Sequence, residues 1–363
     1  MVNIIKACES MESRKLQRVG RSTITVSLPN RWIKENGIKP GDIVLIVPEK
    51  DGTLKIIPRE RFRQEDVEEE YVINADLCTE PGLLEKIIVG AYLHGKNLIR
   101  IISANRIDKR HMDEIRRIVR KLVGLGILEE TENNVLLHCS LDLTKFKFDM
   151  LIRRLTLLVL TVFSEAMQAF LKNDDKLAQE AIERENEVDM IYYLAIRLLL
   201  FAQEREEIRE QVGLTDIVFL PAARSILQSL ELIGDISEDI AKKIIALKDL
   251  GGKFDKEEVE RIYKIGEKAQ EIVKTSVECI FTGDIRLANS ILEMRRSLKN
   301  EIEKIFYELP GVPYLRTLIS CISNIIHIGS MNAEIAINKA LREQSSSVME
   351  IVEVVRHTRV KRL

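Results

Sequence analysis

The sequence has few aromatic residues, few prolines and no long apolar run. Aromatic residues make up 5% of its 363 residues, with one Trp, and there are 8 prolines. The most apolar stretch, Leu155 to Phe163, is much shorter than the roughly 20 residues that a transmembrane helix needs. We therefore interpret it as the buried face of a helix and expect no integral membrane segment.

The sequence also lacks paired cysteines. Its 5 cysteines lie far apart and form no CxxC motif, which excludes a disulfide framework and a structural zinc site and favours a reducing, cytoplasmic compartment. The first residues contain no long apolar core of a secretory signal, and both Met1 and Met11 are candidate starts of translation.

The motifs of common enzymes are missing as well. We find no glycine-rich phosphate loop, no Ser-His-Asp pattern and no catalytic zinc motif. A di-iron site in a helical bundle usually uses Glu-x-x-His on facing helices, and the histidines of the C-terminal half do not form that pattern. We therefore predict that the protein is not an enzyme.

The charge is unevenly distributed along the chain. The whole sequence has a net charge of −2, but residues 1–63 contain 13 Lys and Arg against 7 Asp and Glu, a net charge of +6. We call residues 1–63 the head. A basic head on a nearly neutral body predicts a polyanionic partner for the head.

The head reads as a small β unit. STITVSLP, DIVLIVPE and TLKIIP are predicted strands, NRWIKENGI is a short helix that ends at Gly37, and Asp51 to Thr53 form a hairpin turn. About fifty residues of this kind bury little apolar surface. We therefore expect the head to form a homodimer.

The stretch VGRSTITVSLPNRWIKENGIKPGDIVLIVPEKDGTLKIIP resembles the SpoVT/AbrB swapped-hairpin family, whose members bind double-stranded DNA as intertwined dimers. The resemblance implies DNA contacts from Arg18, Arg21, Arg31 and Lys34. Such side chains on a rigid dimeric sheet would neutralise phosphates. Alternatively, they are ordinary solvated charges and the head serves for dimerisation alone.

Residues 70–141, which we call the middle segment, alternate between strand and helix patterns. The order is YVINADL (strand), PGLLEKIIVGAYLHG (helix), NLIRIIS (strand), DKRHMDEIRRIVRKLVG (helix), and a closing pair of strands around Asn133 and Asn134. This predicts a small α+β domain of ferredoxin-like or related type, acting as a sensor or as a spacer.

Residues 145–363, the helical segment, predict six helices and contain a repeat. NDDKLAQEAIERENEVD (173–189) aligns without gaps on GDIRLANSILEMRRSLK (283–299), and LELIGDI (230–236) aligns on IIHIGSM (325–331). We therefore predict two three-helix bundles, a first copy near 145–248 and a second copy near 254–357.

The first copy contains two pairs of acids at helical spacing, Glu185 with Asp189 and Glu231 with Asp235. Residues four apart share a helix face, where two carboxylates repel each other and a divalent cation would join them. Carboxylate oxygens suit magnesium, manganese, iron or zinc without fixing which. The alternative is a pair of solvated helix surfaces. We call the four residues the acidic cluster; Glu187 lies one position off the shared face.

IERENEVD and LELIGD closely resemble the two acidic motifs of the PhoU family of phosphate-signalling regulators. That resemblance implies two symmetric three-helix bundles and a metal site at the acidic cluster. The second copy departs from the pattern. Its corresponding residues are Arg295, Lys299, Ile326 and Ser330, so we expect no metal there and expect its bases to pair with acids such as Glu301.

Taken together, the segments predict a multidomain cytoplasmic regulator: a swapped-hairpin β head, an α+β middle domain and an all-α pair of bundles. One hypothesis is a DNA-binding transcriptional regulator linked to phosphate signalling. The other is an adaptor that inhibits a phosphate transporter or a signalling partner, in which the head only holds a dimer together.

Overall fold

The fold is that of a computed structural model, which describes residues 12–48, 52–58, 69–249, 255–309 and 313–353. The two candidate starts, Met1 and Met11, and Asp51 of the predicted hairpin turn lie outside these residues. The chain divides into two compact units, Met1–Glu69 and Glu70–Leu363. The middle segment and the helical segment therefore pack together as one unit, and the head belongs to the other.

The first unit contains two antiparallel hairpins and one short helix. Its elements are β1 (Gln17–Val19), β2 (Thr23–Thr25), α1 (Asn30–Glu35), β3 (Val44–Pro48) and β4 (Leu54–Pro58). β1 pairs with β2, and β3 pairs with β4. The first hairpin turns at Gly20, whose φ of 71° favours a residue without a side chain.

A single chain gives this first unit almost no core. Among its described residues, Pro58 alone is buried. Eight large apolar side chains are exposed: Leu16, Val19, Ile24, Val26, Ile43, Ile46, Val47 and Leu54. Two-stranded hairpins are at best marginally stable in water, so the unit needs apolar surface from elsewhere to stay folded.

The middle segment forms a four-stranded mixed sheet with two helices. Its elements are β5 (Glu70–Asn74), α2 (Leu83–Leu93), β6 (Leu98–Ile102), α3 (Lys109–Lys121), β7 (Leu125–Glu130) and β8 (Asn134–Cys139). The strand order is β5-β6-β8-β7, with β5 parallel to β6 and the other neighbours antiparallel.

The predicted elements are therefore present, but the ferredoxin-like arrangement is wrong. That fold follows the order β-α-β-β-α-β, whereas here two successive strand-helix units precede one hairpin. The apolar side chains of one sheet face pack with those of both helices into a core. A helix after each of the first two strands covers this face, and the hairpin completes the sheet.

Six long helices form the helical segment within the described residues. They are α4 (Phe148–Lys172), α5 (Asp175–Glu204), α7 (Leu220–Asp249), α8 (Lys256–Thr282), α9 (Ile285–Glu308) and α10 (Pro313–Glu343). Two short helices, α6 (Glu206–Val212) and α11 (Ser346–Met349), accompany them. The helices α4, α5 and α7 contact one another, as do α8, α9 and α10. One continuous apolar core connects the two sets.

Helix caps explain part of the sequence repeat. Asn173 and Gly283, at matching positions, adopt left-handed backbone angles at the ends of α4 and α8. The next residues, Asp174 and Asp284, each accept hydrogen bonds from two backbone amides at the start of the following helix. The aspartate-containing turn therefore recurs in the sequence because, in both copies, a residue with left-handed backbone angles ends the first helix and an aspartate caps the second.

Among the described residues, one helix is long and apolar enough to cross a membrane by length and composition. It covers Ile217–Ala246 and includes most of α7. Its apolar residues Ile226, Leu227, Leu230 and Ile233 are fully buried in the helical core. The same composition is typical of a core helix, which is the role that α7 has here.

Candidate functional site: an acidic cluster beside the middle segment

The acidic cluster lies where α5 and α7 face each other. Glu185 and Asp189 lie on α5, and Glu231 and Asp235 lie on α7. Glu185 is 5% exposed and Asp189 is 8% exposed, whereas Glu231 is half-buried and Asp235 is exposed. The spacing of four residues places each pair on one helix face, and helix packing brings the two faces together.

The charges of these residues influence one another. Burial, followed by the charge of Asp189, raises the pKa of the Glu185 carboxyl to about 7. Burial, followed by the charges of Asp235 and Asp189, raises the pKa of Glu231 to about 7. The pKa of Asp235 is also raised, first because neighbouring atoms partly desolvate its carboxyl group, although the residue as a whole is exposed, and then by the charge of Asp189. The four carboxyl groups are therefore one electrostatic site rather than two separate surface pairs.

Hydrogen bonds hold one edge of the cluster in place. The Tyr192 hydroxyl donates to Gln228 Oε1 over 3.0 Å, and Gln228 Nε2 donates to Glu231 Oε2 over 3.0 Å. The carboxylate of Glu185, by contrast, accepts no hydrogen bond from the described residues. A buried carboxylate without a donor is unfavourable when ionised, which agrees with the raised pKa of Glu185.

A lysine of the middle segment reaches into the cluster. Lys121, in the last turn of α3, donates from Nζ to Asp189 Oδ2 over 2.5 Å. The two side chains are 22% and 12% exposed. Although burial lowers the pKa of this ammonium group, the hydrogen bond and the charge of Asp189 outweigh it and raise the pKa. Lys121 therefore brings a full positive charge to the carboxylates.

The positions of the acidic side chains show whether the cluster, in this arrangement, can hold a metal ion. Within the part of the chain that the structure describes, no three Asp, Glu, His or Cys side chains lie close enough together to hold a metal ion. Asp189, which is central to the charge interactions, is bonded to an ammonium group. The donors have the right chemistry but are arranged around Lys121, so this arrangement does not fit a metal ion.

A second buried cation fixes the same contact between the middle segment and the first copy. Arg197 of α5 is 2% exposed and donates to the Tyr92 carbonyl and, over 2.8 Å, to Asn97 Oδ1. Its guanidinium also lies 4.5 Å from the centre of the Tyr92 ring. The position of Gly95 requires a glycine, because a Cβ there would collide with the ring of Phe201. The middle segment thus docks closely on α5.

The spacing of the acids predicted the carboxylates, whereas Lys121 and Arg197 were not predicted. Lys121 looked like an ordinary basic residue at a helix C-terminus, where a positive charge complements the helix dipole. Arg197 lies among apolar residues of a predicted helix. This context could have indicated a buried arginine with a hydrogen-bonding partner, because a charged residue within a buried helix face needs one.

The second copy has a different site at the matching positions. Arg295 is half-buried and Lys299 is exposed, while Ile326 and Ser330 are buried. The predicted partner of these bases is wrong: Glu301 binds Lys268 over 3.0 Å, and Lys299 lies 3.9 Å from Glu303. Lys299 thus pairs with an acid one turn away on its own helix.

The four bases predicted to bind DNA lie in two groups on the first unit. Arg18 lies in β1 and Arg21 in the turn after it, while Arg31 and Lys34 lie on α1. All four are exposed. Arg31 Nε donates to Glu35 Oε1 over 2.8 Å, and its side chain is 84% exposed. These bases therefore face solvent, as a phosphate-binding surface requires.

Comparison with known protein families identifies two regions. Residues 152–244 match the model described as PhoU domain, and residues 17–64 match the model described as antidote-toxin recognition MazE, bacterial antitoxin. Both resemblances found in the sequence are thus confirmed at the level of domains. The PhoU match lies within the first copy, which is the copy with the acidic cluster.

A curated relative is the phosphate-specific transport system accessory protein PhoU homolog of Clostridium acetobutylicum, 25% identical over 152 residues. The match covers 41% of this chain and 65% of that protein, so the chain spans less than two thirds of the length of this relative. No solved structure matches the chain.

Proposed function

From the PhoU domain and the MazE-type domain that this chain contains, we propose that it is a cytoplasmic DNA-binding regulator of phosphate uptake. The PhoU domain and the curated relative named for phosphate transport support the link to phosphate. The head supplies a candidate DNA-binding surface. The absence of catalytic motifs in the sequence agrees with a regulatory role rather than an enzymatic one.

The observation that carries the proposal is the combination of exposed bases and exposed apolar residues on the head. Large apolar side chains on both hairpins of the head are exposed within the part of the chain that the structure describes. A second head that pairs with them, by swapped hairpins, would create the missing core and double the number of bases. Arg18, Arg21, Arg31 and Lys34 from both chains would then form one positive surface for duplex DNA.

The acidic cluster is our candidate for cation sensing by the helical segment. Its carboxylates have the oxygen donors that divalent cations prefer. In the arrangement described above, Lys121 provides the positive charge. In this proposal, a divalent cation binds the cluster in a second arrangement and reports nutrient or ion status to a transporter or signalling partner.

The proposal is tested by measuring duplex affinity of the full chain against salt concentration. For a DNA binder, the plot of log affinity against log salt has a slope of about −0.9 per phosphate contact. Combined Arg18→Ala, Arg21→Ala and Arg31→Ala should make this slope less steep by about 3 for each bound head. Lys264→Ala, an exposed lysine of α8, is the matched control and should leave the slope unchanged.

A slope near zero for the unaltered chain, with dimerisation intact, would contradict DNA binding. It would favour the adaptor reading, in which the head holds two chains together while the PhoU domain inhibits a transporter or signalling partner. The exposed apolar surface of the head is common to both readings, because it calls for a partner chain whether or not DNA binds.

A further inference from the structure

The outer face of α4 is apolar where a surface helix normally carries charge. The most apolar stretch of the sequence, Leu155 to Phe163, lies in this helix. Only part of it is buried: Leu157 is 66% exposed, and further along the same helix Met150 is 63% and Leu171 is 37% exposed. A single exposed leucine is ordinary on a protein surface, but these three residues recur at a fixed interval.

That interval is seven residues. Four positions of α4 follow it, and we call them the α4 seam: Met150, Leu157, Ser164 and Leu171. Residues seven apart drift by only about 20° around a helix, so the four positions form one line along its surface. Ser164 is half-buried and is the one small residue of the line. A line of this kind is the surface with which one helix packs along another.

The matching helix of the second copy does not have this line. In the register of the repeat, the first three positions of the α4 seam correspond on α8 to exposed charged residues, Glu260, Glu267 and Lys274. The fourth corresponds to Phe281, on which Arg153 of α4 stacks at 3.8 Å. The two helices have the same place in their bundles, so the fold itself does not require an apolar face on α4.

The α4 seam is symmetric about its midpoint, which lies between positions 160 and 161. When two α4 helices run antiparallel with their midpoints together, Met150 of one copy lies opposite Leu171 of the other. Leu157 lies opposite Ser164, so that a large side chain meets a small one. This is the condition for an isologous contact, in which the same surface of two copies pairs around a twofold axis.

The charges at the two ends of the seam fit the same arrangement. Asp149 and Lys172 are both exposed, and Asp149 has no ion-pair partner among the described residues. In the antiparallel pair, Asp149 of each copy lies opposite Lys172 of the other. A parallel pair would instead place like charges opposite each other, which is unfavourable. Charge complementarity therefore selects a second copy of α4 in the antiparallel direction.

We propose that the α4 seam is a contact surface between two copies of this chain, in which the two α4 helices pack antiparallel around a twofold axis. The contact belongs to the helical segment and is separate from the pairing of heads in the proposed function. It does not depend on whether the head binds DNA.

Covalent coupling of the full chain through a single new cysteine tests the contact. Thr161→Cys places a thiol next to the midpoint, where two copies would bring their thiols together, and a short bismaleimide should then yield a covalent dimer. The unaltered chain, with its own 5 cysteines, gives the baseline. Leu341→Cys, at a position of α10 that is 47% exposed, is the matched control and should stay at that baseline.

Reversal of the end charges tests the direction of the pair. In the Thr161→Cys chain, Asp149→Lys or Lys172→Asp should each slow coupling by about fivefold, because two ion pairs of the dimer become like-charge pairs. The two changes together should restore the rate. The two residues are about 35 Å apart on one helix, so restoration requires pairing between chains. Lys264→Asp, on the charged face of α8, should change nothing.

Three results would overturn the inference. They are coupling of Thr161→Cys no faster than that of Leu341→Cys, a double reversal as slow as the single ones, and, in cells, a coupled product that contains another protein in place of a second copy. Loss of DNA binding in the head variants, with unchanged coupling of Thr161→Cys, would bear on the proposed function alone.

Discussion

The two copies of the helical repeat use the same architecture for different surfaces. In both copies, a residue with left-handed backbone angles ends the first helix, and an aspartate caps the start of the second. Yet the position of the buried Arg197 in the first copy corresponds, in the same register, to Tyr307 in the second, which is 83% exposed. The middle segment covers this face in the first copy, and no described residue covers it in the second.

The repeat therefore preserves the helix ends and the core, while its outer faces have diverged. Where the middle segment docks, the first copy has carboxylates and a buried arginine. At matching positions the second copy has Arg295, Lys299 and a solvent-facing tyrosine. The acidic cluster and the docked middle segment therefore belong to the same copy.

The largest expected effect is at Arg197. Arg197→Ala would leave the Tyr92 carbonyl and the Asn97 amide oxygen without this donor and create a cavity beside two aromatic rings. We expect a loss of about 3–4 kcal/mol in the free energy of unfolding, measured by denaturant titration. Tyr307→Ala at the matching position should change it by less than about 0.5 kcal/mol. Similar losses from both variants would remove the contrast between the copies.

Glu185 should show the next largest effect, and this effect depends on pH. Because its folded pKa of about 7 is above the usual value of 4.5, its contribution to stability is present below about pH 4.5 and is lost as the pH rises towards 7. Glu185→Gln removes this loss. In a metal-free buffer, the variant should be about 2 kcal/mol more stable than the unaltered chain near pH 8 and equally stable near pH 4.

Arg295→Gln is the counterpart of that variant in the second copy. Because this substitution removes no carboxyl group, the difference in stability from the unaltered chain should be the same at both pH values. A pH-dependent gain from Arg295→Gln, or none from Glu185→Gln, would mean that burial and charge at the acidic cluster are not as described.

The smallest effect should be shared by the two copies. Asp174→Ala and Asp284→Ala each remove a side chain that accepts from two backbone amides at a helix start. Each should lower the midpoint of thermal unfolding by an amount that corresponds to about 1 kcal/mol. Effects that differ by several-fold would show that the common turn does not contribute equally to both copies.

Much of this architecture follows from local sequence signals. The helix periodicity, the glycines at helix ends and the repeated acidic turn predict the six long helices and the elements of the middle segment. The spacing Glu185-x-x-x-Asp189 places two acids on one face. These features depend on residues close in sequence, where helix geometry fixes the neighbours.

Contacts between distant residues were beyond such signals. The ferredoxin-like assignment was wrong because the predicted element order, two strand-helix units followed by a hairpin, already differs from the order of that fold. The strand order β5-β6-β8-β7, by contrast, depends on which edges meet and does not follow from local sequence. Glu301 was assigned to the wrong base because several lysines and arginines lie within reach of α9. Lys121 was missed because its partner, Asp189, lies on a helix of another segment. Local sequence does not show that these two helices meet.

The proposed function requires above all that the head binds DNA and that the helical segment controls this binding. The direct measurement is recovery of DNA fragments cross-linked to the full chain in cells, compared with the Arg18→Ala, Arg21→Ala and Arg31→Ala variant at equal protein level. We predict that the unaltered chain enriches a small set of fragments upstream of phosphate-uptake genes and that the variant loses them. Equal recovery of the same fragments by both proteins, or no enrichment by either, would contradict it.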